Sequence, residues 1–367
     1  MKNTFGQSVT VTLFGESHGA MIGAVIDGLA PGLRIDEDFI RHQLSLRRPQ
    51  GRISTSRAEA DEFSIVSGVF EGKTTGTPVC ILIPNTNTRS GDYTPNIPRP
   101  GHADFTAQCK YNGNQDYRGG GHFSGRVTAA LVAAGAIAIS ALRQNGILIG
   151  THISRLANIS DRSFDSYESD IETLADLTFP VLDSSSAAVM RAEIENAAAE
   201  GDSVGGVLET AVIGLPAGLG EPWFDAIESV LSHALFSIPG IKGVEFGAGF
   251  SFAQMRGSEA NDAFRMQSGR IVTTTNHNGG INGGITNGMP VVFRCAVKPT
   301  PSIFQEQESV DMKAKENVIL NLSGRHDPAI IHRARVVVDS IAALVLCDQI
   351  ALRFGTDSLC DLKSILK

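Results

Sequence analysis

Three short segments of the chain place histidines and acids where protons could be exchanged. "FGESHG" sets Ser17 beside His18 in a glycine-flanked turn, which offers a hydroxyl and a titratable imidazole to an anion. "RPGHAD" holds His102 in a polar loop with Asp104 two residues later, and "GRHDP" brings Asp327 together with a cation and an imidazole. Because loops on a rigid scaffold carry much of protein chemistry, these segments supply our candidate acid–base groups.

Two patterns, one of them within the "FGESHG" segment, partly match well-known functional motifs. "GESHG" at 15–19 matches the G-x-S-x-G turn of serine hydrolases, but that turn must be followed by a helix, and the residues after it predict a strand. "GKT" at 72–74 resembles the end of a nucleotide-binding P-loop, yet the required spacing would put the first glycine at Ser67, and a strand follows Pro78. The sequence therefore argues against both a serine hydrolase and an ATPase.

One stretch of the chain is rich in arginine, although the net charge is −8. It contains neither lysine nor acid, and its cations are Arg41, Arg47, Arg48, Arg52 and Arg57. Guanidinium forks pair with carboxylate or phosphate at two points, so this stretch indicates a compact anionic ligand. A solvated charge run is the plainer interpretation, and an anion-binding or RNA-binding role for Arg41–Arg57 is the functional alternative. RNA binding would favour aromatic residues, and the segment has none.

Glycine-rich and proline-rich segments could let a ligand approach the backbone. "RGGGHFSGR" at 118–126 flanks three glycines with two arginines just before a predicted helix, although a flexible turn is the alternative. "NHNGGINGG" at 276–284 contains paired glycines without the G-x-G-x-x-G spacing of a dinucleotide site. "KPTPSI" at 298–303 predicts an extended polar segment held straight by prolines.

Composition limits the class of protein. With 367 residues, 42% hydrophobic and 19% charged, the chain can bury a large core as a single domain over 1–367. Five cysteines lack metal-ligand spacing and are odd in number, so we expect reduced thiols, no metal site and a cytoplasmic location. The first residues lack the features of a signal peptide. The apolar stretch 127–142 is short for a membrane span and predicts a buried helix.

Periodicity and end signals predict the elements that must position these groups. Strands are predicted at 8–14, 21–27, 63–70, 79–83, 147–155, 204–213, 244–253 and 290–297. Helices are predicted at 37–47, 124–144, 187–200, 222–235 and 329–353. The two longest helices are apolar nearly all round, which places them in an interior. We therefore expect an α+β fold, a β-α-β sandwich with long central helices between antiparallel sheets.

The second half of the chain resembles the first. The segment from Val25 reads as a strand, a Gly/Pro turn and an amphipathic helix, and so does the segment from Val212. Further on, "TTGTPVCILIP" matches "ITNGMPVVFRC", which aligns Pro78 with Pro290. The order of the elements is preserved, so we predict an internal pseudo-twofold repeat covering roughly 1–150 and 200–367.

Taken together, these segments resemble the chorismate synthase family. The resemblance rests on "GESHG", "RRP", "RPGHAD", "YRGGG", "KGVEFG", "NHNGG", "KPTPSI" and "GRHDP", which occur in the family's order from Phe14 to beyond Asp339. It implies a lyase that converts 5-enolpyruvylshikimate 3-phosphate to chorismate and phosphate by a 1,4-anti elimination, with reduced FMN. The anionic substrate would explain a dense arginine patch on an acidic protein.

The resemblance also implies roles for individual residues. His18 would donate a proton near the substrate phosphate, His102 would maintain the protonation state of the reduced flavin, and Asp327 would assist deprotonation at flavin N5. The implied FMN-binding residues are His122, Phe123, Ser124, Pro239, Gly240, Gly283, Lys298, Pro299, Thr300, Pro301, Ser302 and Arg325. The implied substrate or NADP contacts are Ser17, Arg47, Arg48, Arg52 and Arg126.

The chain departs from the family pattern in two places. Residues 122–128 read "HFSGRVT" where many members have "RSSARET", which affects side-chain contacts expected from 122 and 123. The segment after Arg48 is one residue shorter than in many relatives, which affects the match of Arg52. The resemblance further implies a homotetramer and no nucleic-acid or membrane partner. The flavin would be reduced either by the protein itself with NADPH or by a separate flavin reductase.

Overall fold

A computed structural model describes residues 2–49, 51–55, 59–87, 95–324 and 326–365. Two of the predicted site residues, Arg325 and the side chain of Arg52, lie outside this description. The strands are β1 Thr4–Phe5, β2 Thr10–Gly15, β3 Met21–Asp27, β4 Ser64–Ser67, β5 Val69–Phe70, β6 Lys73–Thr74, β7 Val79–Pro84, β8 Leu148–Leu156, β9 Ile159–Ser160, β10 Gly206–Ile213, β11 Ile241–Phe246, β12 Phe264–Gln267, β13 Arg270–Thr273, β14 Ile281–Asn282, β15 Ile285–Thr286, β16 Val291–Val297, β17 Gln307–Asp311 and β18 Glu316–Leu320. The α-helices are α1 Glu37–Arg47, α2 Asp104–Tyr111, α3 Thr128–Gln144, α4 Tyr167–Leu174, α5 Ser184–Ala199, α6 Ile227–Leu235, α7 Gly257–Ala260, α8 Ile331–Phe354 and α9 Leu362–Ile365.

Two five-stranded antiparallel sheets form the outer layers. The first has the order β1-β2-β3-β7-β4, and the second has the order β11-β16-β10-β8-β9. Within each sheet four strands share one connectivity, β2, β3, β4 and β7 corresponding to β8, β10, β11 and β16. A helix follows the second strand in each set, α1 or α6, and a long helix follows the fourth, α3 or α8. The fold is thus the expected α+β arrangement, while the single-domain assignment and the repeat boundaries stay predictions.

The central layer consists of the long helices α3 and α8, which pack against each other between the sheets. At their contact, a Cβ on Gly135 would lie 2.2 Å from the Cβ of Ser340, so only glycine allows this approach. Most residues of both helices are buried. The segment Gly125–Gln144 is long and apolar enough to cross a membrane, but most of it is enclosed by the protein, as in core helices.

Helix α1 illustrates how local signals set the boundaries that position the site. The side chain of Asp36 caps its start by accepting the N–H of Phe39 at 2.9 Å, and acids occupy the first turn. Its end falls at Arg47, two residues before Pro49. The predicted range of 37–47 is confirmed, and α1 therefore delivers Arg47 and Arg48 at its C-terminal end.

Several predicted boundaries were wrong for identifiable reasons. The strand predicted at 244–253 ends at Phe246, because Gly247 and Gly249 adopt φ of 54° and 55° and turn the chain into a 3-10 helix. The helix predicted from 222 begins at Ile227, after a 3-10 turn in which Trp223 has φ of 69°. The helix predicted from 124 begins at Thr128, after short 3-10 turns.

The sequence reading missed short elements as well. Helices α2 and α4 were not predicted, nor were the hairpins β12–β13 and β17–β18. In the first hairpin Ser268 and Gly269 both have positive φ, at 50° and 77°, as a two-residue turn of this kind requires. The Ser-Gly pair was a usable signal for that turn.

Candidate active site

The "GESHG" segment forms the connection between strands β2 and β3. Gly15, the last residue of β2, has φ of 95°, and a Cβ there would lie 2.3 Å from the carbonyl oxygen of Met21. A strand rather than a helix follows, so this connection is not the strand–helix turn on which a serine hydrolase depends. Ser17 is fully buried and His18 is 8% exposed. The connection thus presents a hydroxyl and an imidazole in a protected place.

A glycine run packs directly on this connection. Gly119, Gly120 and Gly121 have φ of 59°, 81° and 54° within the 3-10 segment Arg118–Phe123. A Cβ on Gly119 would lie 2.3 Å from two ring atoms of His18. The carbonyl oxygen of Gly121 accepts the N–H of Ser17 at 3.0 Å. Close approach to His18 therefore explains the glycine at 119, and close approach to the Asp116 carbonyl oxygen explains the one at 121.

The residues that follow the glycine run, 122–124, bind it to neighbouring segments. Nδ1 of His122 donates to the carbonyl oxygen of Gly15 at 2.7 Å. Ser124 caps the following turn by accepting the N–H of Arg126 at 3.2 Å. Phe123 is 38% exposed and lies edge-on to Tyr111. The His122 side chain thus holds the loop together in a region where the chain departs from the common pattern.

His102 faces the same glycine run. A Cβ on Gly120 would lie 3.2 Å from its Cε1. On its other edge, Nδ1 lies 2.7 Å from Oδ1 of Asp104. Burial raises the pKa of the Asp104 carboxyl, but hydrogen bonds from Arg99 and His102 outweigh that effect and hold this pKa well below its usual range. Asp104 therefore stays ionised beside the imidazole.

The proline-rich segment lies along the His102 loop. The N–H of Lys298 donates to the carbonyl oxygen of Gly240 at 2.9 Å, and its ammonium donates to the carbonyl oxygen of Gly101. A Cβ on Gly101 would lie 3.3 Å from Pro301, and the carbonyl oxygen of Thr300 accepts the hydroxyl of Ser203 at 2.8 Å. Burial, with Lys242 nearby, lowers the pKa of Lys298. The segment brings a cation to the edge of the site.

The remaining members of this segment lie close by. Pro299 packs against Gly205, where a Cβ would lie 2.9 Å from the proline ring. The hydroxyl of Ser302 lies 3.4 Å from Nη1 of Arg99, and Ser302 is buried. Pro239 immediately precedes Gly240. The structure thus brings Lys298–Ser302, Gly240 and the His102 loop into one region.

The buried carboxylate of Asp61 lies among the arginines at the end of α1 and Arg126 before α3. It accepts hydrogen bonds from Nη1 of Arg126 and, at 3.3 Å, from Nη1 of Arg47, while Nε of Arg48 lies 4.0 Å from it. Asp61 has φ of 55°, a left-handed conformation that few residue types adopt readily. Sequence reasoning missed this residue, since it lies in a loop thirteen positions after Arg48 without a local signal.

The two innermost arginines are largely satisfied within the protein. Arg126 is 6% exposed, and its fork also donates to the Asn85 side chain at 2.9 Å and to the Pro84 carbonyl oxygen at 3.1 Å. Arg47 donates to the hydroxyl of Thr128 at 3.0 Å. Burial lowers the pKa of Arg47 to about 10, although Asp61 opposes this. A charged ligand at this place would find guanidiniums already held in position.

Asp327 links the arginine segment to the start of α8. Its Oδ1 accepts the N–H of Thr55 at 2.8 Å, and its Oδ2 lies 3.2 Å from Nη2 of Arg333. Both Asp327 and Arg333 act electrostatically on Arg47, so the three charges belong to one group. Arg333 was not predicted as a site residue, and the helical register of α8 alone could not have identified it.

A cleft of about 120 Å³ opens beside His102. It is lined by Pro95, Ile97, Arg99, His102, Ala103, Asp104, Ala107, Gln115, Asp116, Tyr117, Gly120, Phe123 and the segment 320–323. In the described part of the chain, no cluster of three or more histidine, cysteine, aspartate or glutamate side chains could hold a metal ion. The cleft therefore offers aromatic, histidine and arginine groups to a ligand.

One predicted site residue, Gly283, lies at the opposite end of β16 from the Lys298 segment. Gly283 belongs to the small hairpin β14–β15, and neighbouring Gly280 packs against the backbone of Pro290, just before β16. Lys298 follows the opposite end of β16. A strand of this length separates the two ends by about 20 Å. Within one chain, the structure does not bring Gly283 to the Lys298 segment.

The fold and the site define a class of protein: an α+β protein with a buried histidine, a second histidine beside a cleft, and arginines held around a buried carboxylate. The family model described as chorismate synthase matches residues 9–351. Two relatives named chorismate synthase are similar along nearly their whole length. The protein of Thermococcus gammatolerans is 47% identical over 350 residues, covering 95% of this chain and 97% of the relative, and that of Methanosarcina mazei is 46% identical over 356 residues, covering 96% and 97%.

A solved structure described as a crystal structure of chorismate synthase has the same fold. It superposes with a TM-score of 0.78 at 29% identity and covers 99% of this chain and 97% of the other. The chain belongs to the chorismate synthase family and is therefore a lyase.

Proposed function

We propose that the protein converts 5-enolpyruvylshikimate 3-phosphate to chorismate and phosphate by a 1,4-anti elimination that requires reduced FMN. The observation that carries this proposal is the contact of His18 and His102 with consecutive residues of one glycine run, Gly119 and Gly120. Two imidazoles beside one glycine segment suit a reaction in which a phosphate leaves and a proton is removed.

His18 is proposed to donate a proton to the leaving phosphate. It is 8% exposed, next to the fully buried Ser17, so water is largely excluded from its surroundings. In such a place a hydrogen bond to a phosphate oxygen is stronger than in water. Ser17 adds a hydroxyl that can contact the same anion.

The arginine group is proposed to bind the carboxylates and phosphate of the substrate. Arg47, Arg48, Arg126 and Arg333 outnumber the carboxylates among which they lie, Asp61, Glu59 and Asp327. The surplus positive charge in a partly buried region attracts an anion with several negative groups. Arg52 and Arg325, whose side chains lie outside the described residues, are further proposed contacts.

The residues around the His102 loop fit a flavin phosphate and ring. Gly120 lines the cleft beside His102, and Lys298 provides a cation beside the extended segment that ends at Ser302. We assign FMN binding to His122–Ser124, Pro239–Gly240, Gly283, Lys298–Ser302 and Arg325. When bound, reduced FMN would supply transient electron donation and accept the substrate proton.

Two side chains are proposed to manage protons around that cofactor. His102 would hold a proton at the edge of the cleft and so maintain the charge of the reduced flavin. Asp327, kept next to Arg333 and the N–H of Thr55, would assist the deprotonation of flavin N5. Both side chains are mostly enclosed, which restricts proton exchange with bulk water.

An anaerobic assay tests the proposed reaction. The purified chain is mixed with 5-enolpyruvylshikimate 3-phosphate and chemically reduced FMN, and chorismate absorbance and phosphate release are followed. We expect both products in equal amounts with reduced FMN and none with oxidised FMN. Absence of chorismate under well-reduced conditions would overturn the proposal. Repeating the assay with NADPH and oxidised FMN distinguishes self-reduction of the flavin from dependence on a separate reductase.

We further propose a cytoplasmic homotetramer. All five cysteines are free, consistent with a reducing compartment. Gly283 can contribute to the same flavin site as Lys298 only from another copy of the chain, because β16 separates them. The hairpin β12–β13 exposes Phe264, Met266 and Ile271, which suits a surface that a second copy covers. Light scattering after size-exclusion chromatography would give four times 38.9 kDa, and a monomer would exclude this assembly.

The alternative, an anion-binding or RNA-binding module using Arg41–Arg57, finds less support. Arg41 pairs with Glu37 at 2.6 Å and Asp38 at 2.9 Å, and the Arg47 side chain is 13% exposed. The described arginines of the segment therefore point inward or are already paired, rather than forming a basic face for a nucleic acid.

A further inference from the structure

One ring nitrogen of His102 lies within hydrogen-bond distance of both a carboxylate and a guanidinium. Nδ1 lies 2.7 Å from Oδ1 of Asp104 and 3.1 Å from Nη2 of Arg99. A carboxylate only accepts hydrogen bonds and a guanidinium only donates them, so Nδ1 cannot satisfy both groups at once. Whether Nδ1 carries a proton therefore depends on which of the two groups makes its hydrogen bonds elsewhere.

The guanidinium of Arg99 has its hydrogen-bond acceptors in Asp104. Its Nε donates to Oδ2 at 2.8 Å and its Nη2 donates to Oδ1 at 2.9 Å, which is a two-point pair. The backbone N–H of Arg99 donates to Oδ2 as well, at 3.0 Å. All groups are satisfied when Nδ1 of His102 carries a proton and donates it to Oδ1. The reverse arrangement would place the Nδ1 lone pair against a carboxylate oxygen.

A proton fixed on Nδ1 leaves Nε2 as the nitrogen that can exchange one. Nε2 lies on the side of the glycine run, where a Cβ on Gly120 would be 3.4 Å away. The other charged groups near the imidazole are Lys298, whose ammonium is bonded to Gly101, and Asp116, across the cleft and paired with Arg118. Lys298 only donates, and the Asp116 carboxylate is paired with Arg118, so the acceptor for Nδ1–H is Asp104, at 2.7 Å.

We propose that Asp104 is a positioning residue that holds His102 with its proton on Nδ1 and its Nε2 directed at the ligand. Asp104 acts through His102 and has no assigned contact with substrate or flavin. This inference rests on the proposed function for its catalytic consequence, but the position of the proton can be tested without turnover.

The kinetic test is a double-mutant cycle in the anaerobic lyase assay with chemically reduced FMN. We expect Asp104→Asn to lower kcat by about 10- to 100-fold with KM changed little, since the amide can no longer impose one tautomer. In a His102→Ala background the same change should cost less than about twofold, because the two residues act as a unit. Equal losses in both backgrounds would overturn the proposal by showing a purely structural effect.

A matched control separates this effect from loss of an aspartate–arginine pair. Asp170, in the first turn of α4, accepts the fork of Arg162 at 2.6 and 3.0 Å and the N–H of Asp165 at 3.0 Å. In the described part of the chain it touches no histidine. Asp170→Asn should therefore leave kcat within about twofold of wild type. A loss as large as that of Asp104→Asn would contradict the positioning role.

The direct test is a long-range ¹⁵N–¹H correlation spectrum of the full chain labelled at histidine, with His102 assigned by the signals lost in His102→Gln. The expected pattern for wild type has a protonated Nδ1, and Asp104→Asn should convert it to a mixture of tautomers. A proton on Nε2 alone in wild type would overturn the inference. If wild type forms no chorismate, the proposed function fails, while this spectrum still decides the role of Asp104.

Discussion

Asp61 and Arg126 form a buried ion pair that joins the loop after α1 to the turn before α3. The side chains are 1% and 4% exposed, and Arg47 donates to the second oxygen of the same carboxylate at 3.3 Å. Buried charges require partners, because desolvation otherwise makes them costly. This carboxylate therefore holds the two guanidiniums in place and supplies their buried counter-charge.

Removing the charge of Asp61 should destabilise the protein. Asp61→Asn retains a residue that tolerates positive φ but leaves Arg126 without its buried counter-charge, and we expect a loss of about 3 kcal/mol or more in unfolding free energy. Urea unfolding followed by fluorescence measures it. As a control, Asp38→Asn removes an exposed pair with Arg41 and should leave the unfolding midpoint unchanged. Similar midpoints for both variants would contradict the role of Asp61.

A methyl group at Gly119 should displace His18. Gly119→Ala puts a Cβ 2.3 Å from the ring, so the imidazole must move, and we expect kcat to fall by about 100-fold. The matched control is Gly72→Ala, which has a similar φ of 72° but nothing within 4 Å of the added carbon. Both variants carry backbone strain, so only the clash distinguishes them. Comparable kcat values in the two variants would remove His18 from the mechanism.

Asp327→Asn should lower turnover much more than substrate affinity. The amide keeps the size of the side chain, but it cannot accept a proton, and we expect kcat to fall by about 100-fold with KM changed by less than about threefold. Asp183→Asn, at the N-terminal cap of α5, provides a distant control that should keep normal turnover. An unchanged kcat with a raised KM would assign Asp327 to binding alone. Substrate dependence of the initial rate gives both constants.

His332 should make the protein less stable as the pH falls from 7 to 5. Burial, reinforced by Arg333 and Arg191, lowers the pKa of His332 to about 3. Below the ordinary histidine pKa the unfolded chain therefore binds a proton that the folded protein does not, so folding stability decreases with falling pH. Between pH 7 and 5 this amounts to about 2 kcal/mol.

His332→Gln should remove that part of the pH dependence while keeping a polar partner for the hydroxyl of Ser54, which lies 2.9 Å from Nε2. The measurement is the difference in unfolding free energy between pH 7 and pH 5, compared with wild type. Equal differences in the two proteins would show that His332 is protonated in the folded state.

Sequence reasoning predicted the scaffold better than the contacts within the site. Capping and end signals predicted the range of α1. Helices α3 and α8 were identified as interior helices because a helix that is apolar nearly all round is buried. The strand that stops at Phe246 was extended too far, since apolar content outweighed the two glycines that end it. The site residues Asp61 and Arg333 were missed because their importance arises from contacts between distant segments, which no local pattern encodes.

The same distinction applies to the predicted flavin site. The "KPTPSI" and "RPGHAD" segments were predicted separately, and the structure places them in contact through Lys298 and Gly101. Gly283 was assigned to the same site, but β16 separates it from Lys298 within the chain. Distances of this kind depend on the direction in which a strand runs, and a linear motif does not contain that information.

The contact of Gly135 with Ser340 has a consequence for which residues position 135 can hold. Because a Cβ there would overlap Ser340, any larger residue would have to push the two central helices apart. The sheets pack on these helices, so a single missing side chain sets how closely the layers of the fold can approach one another.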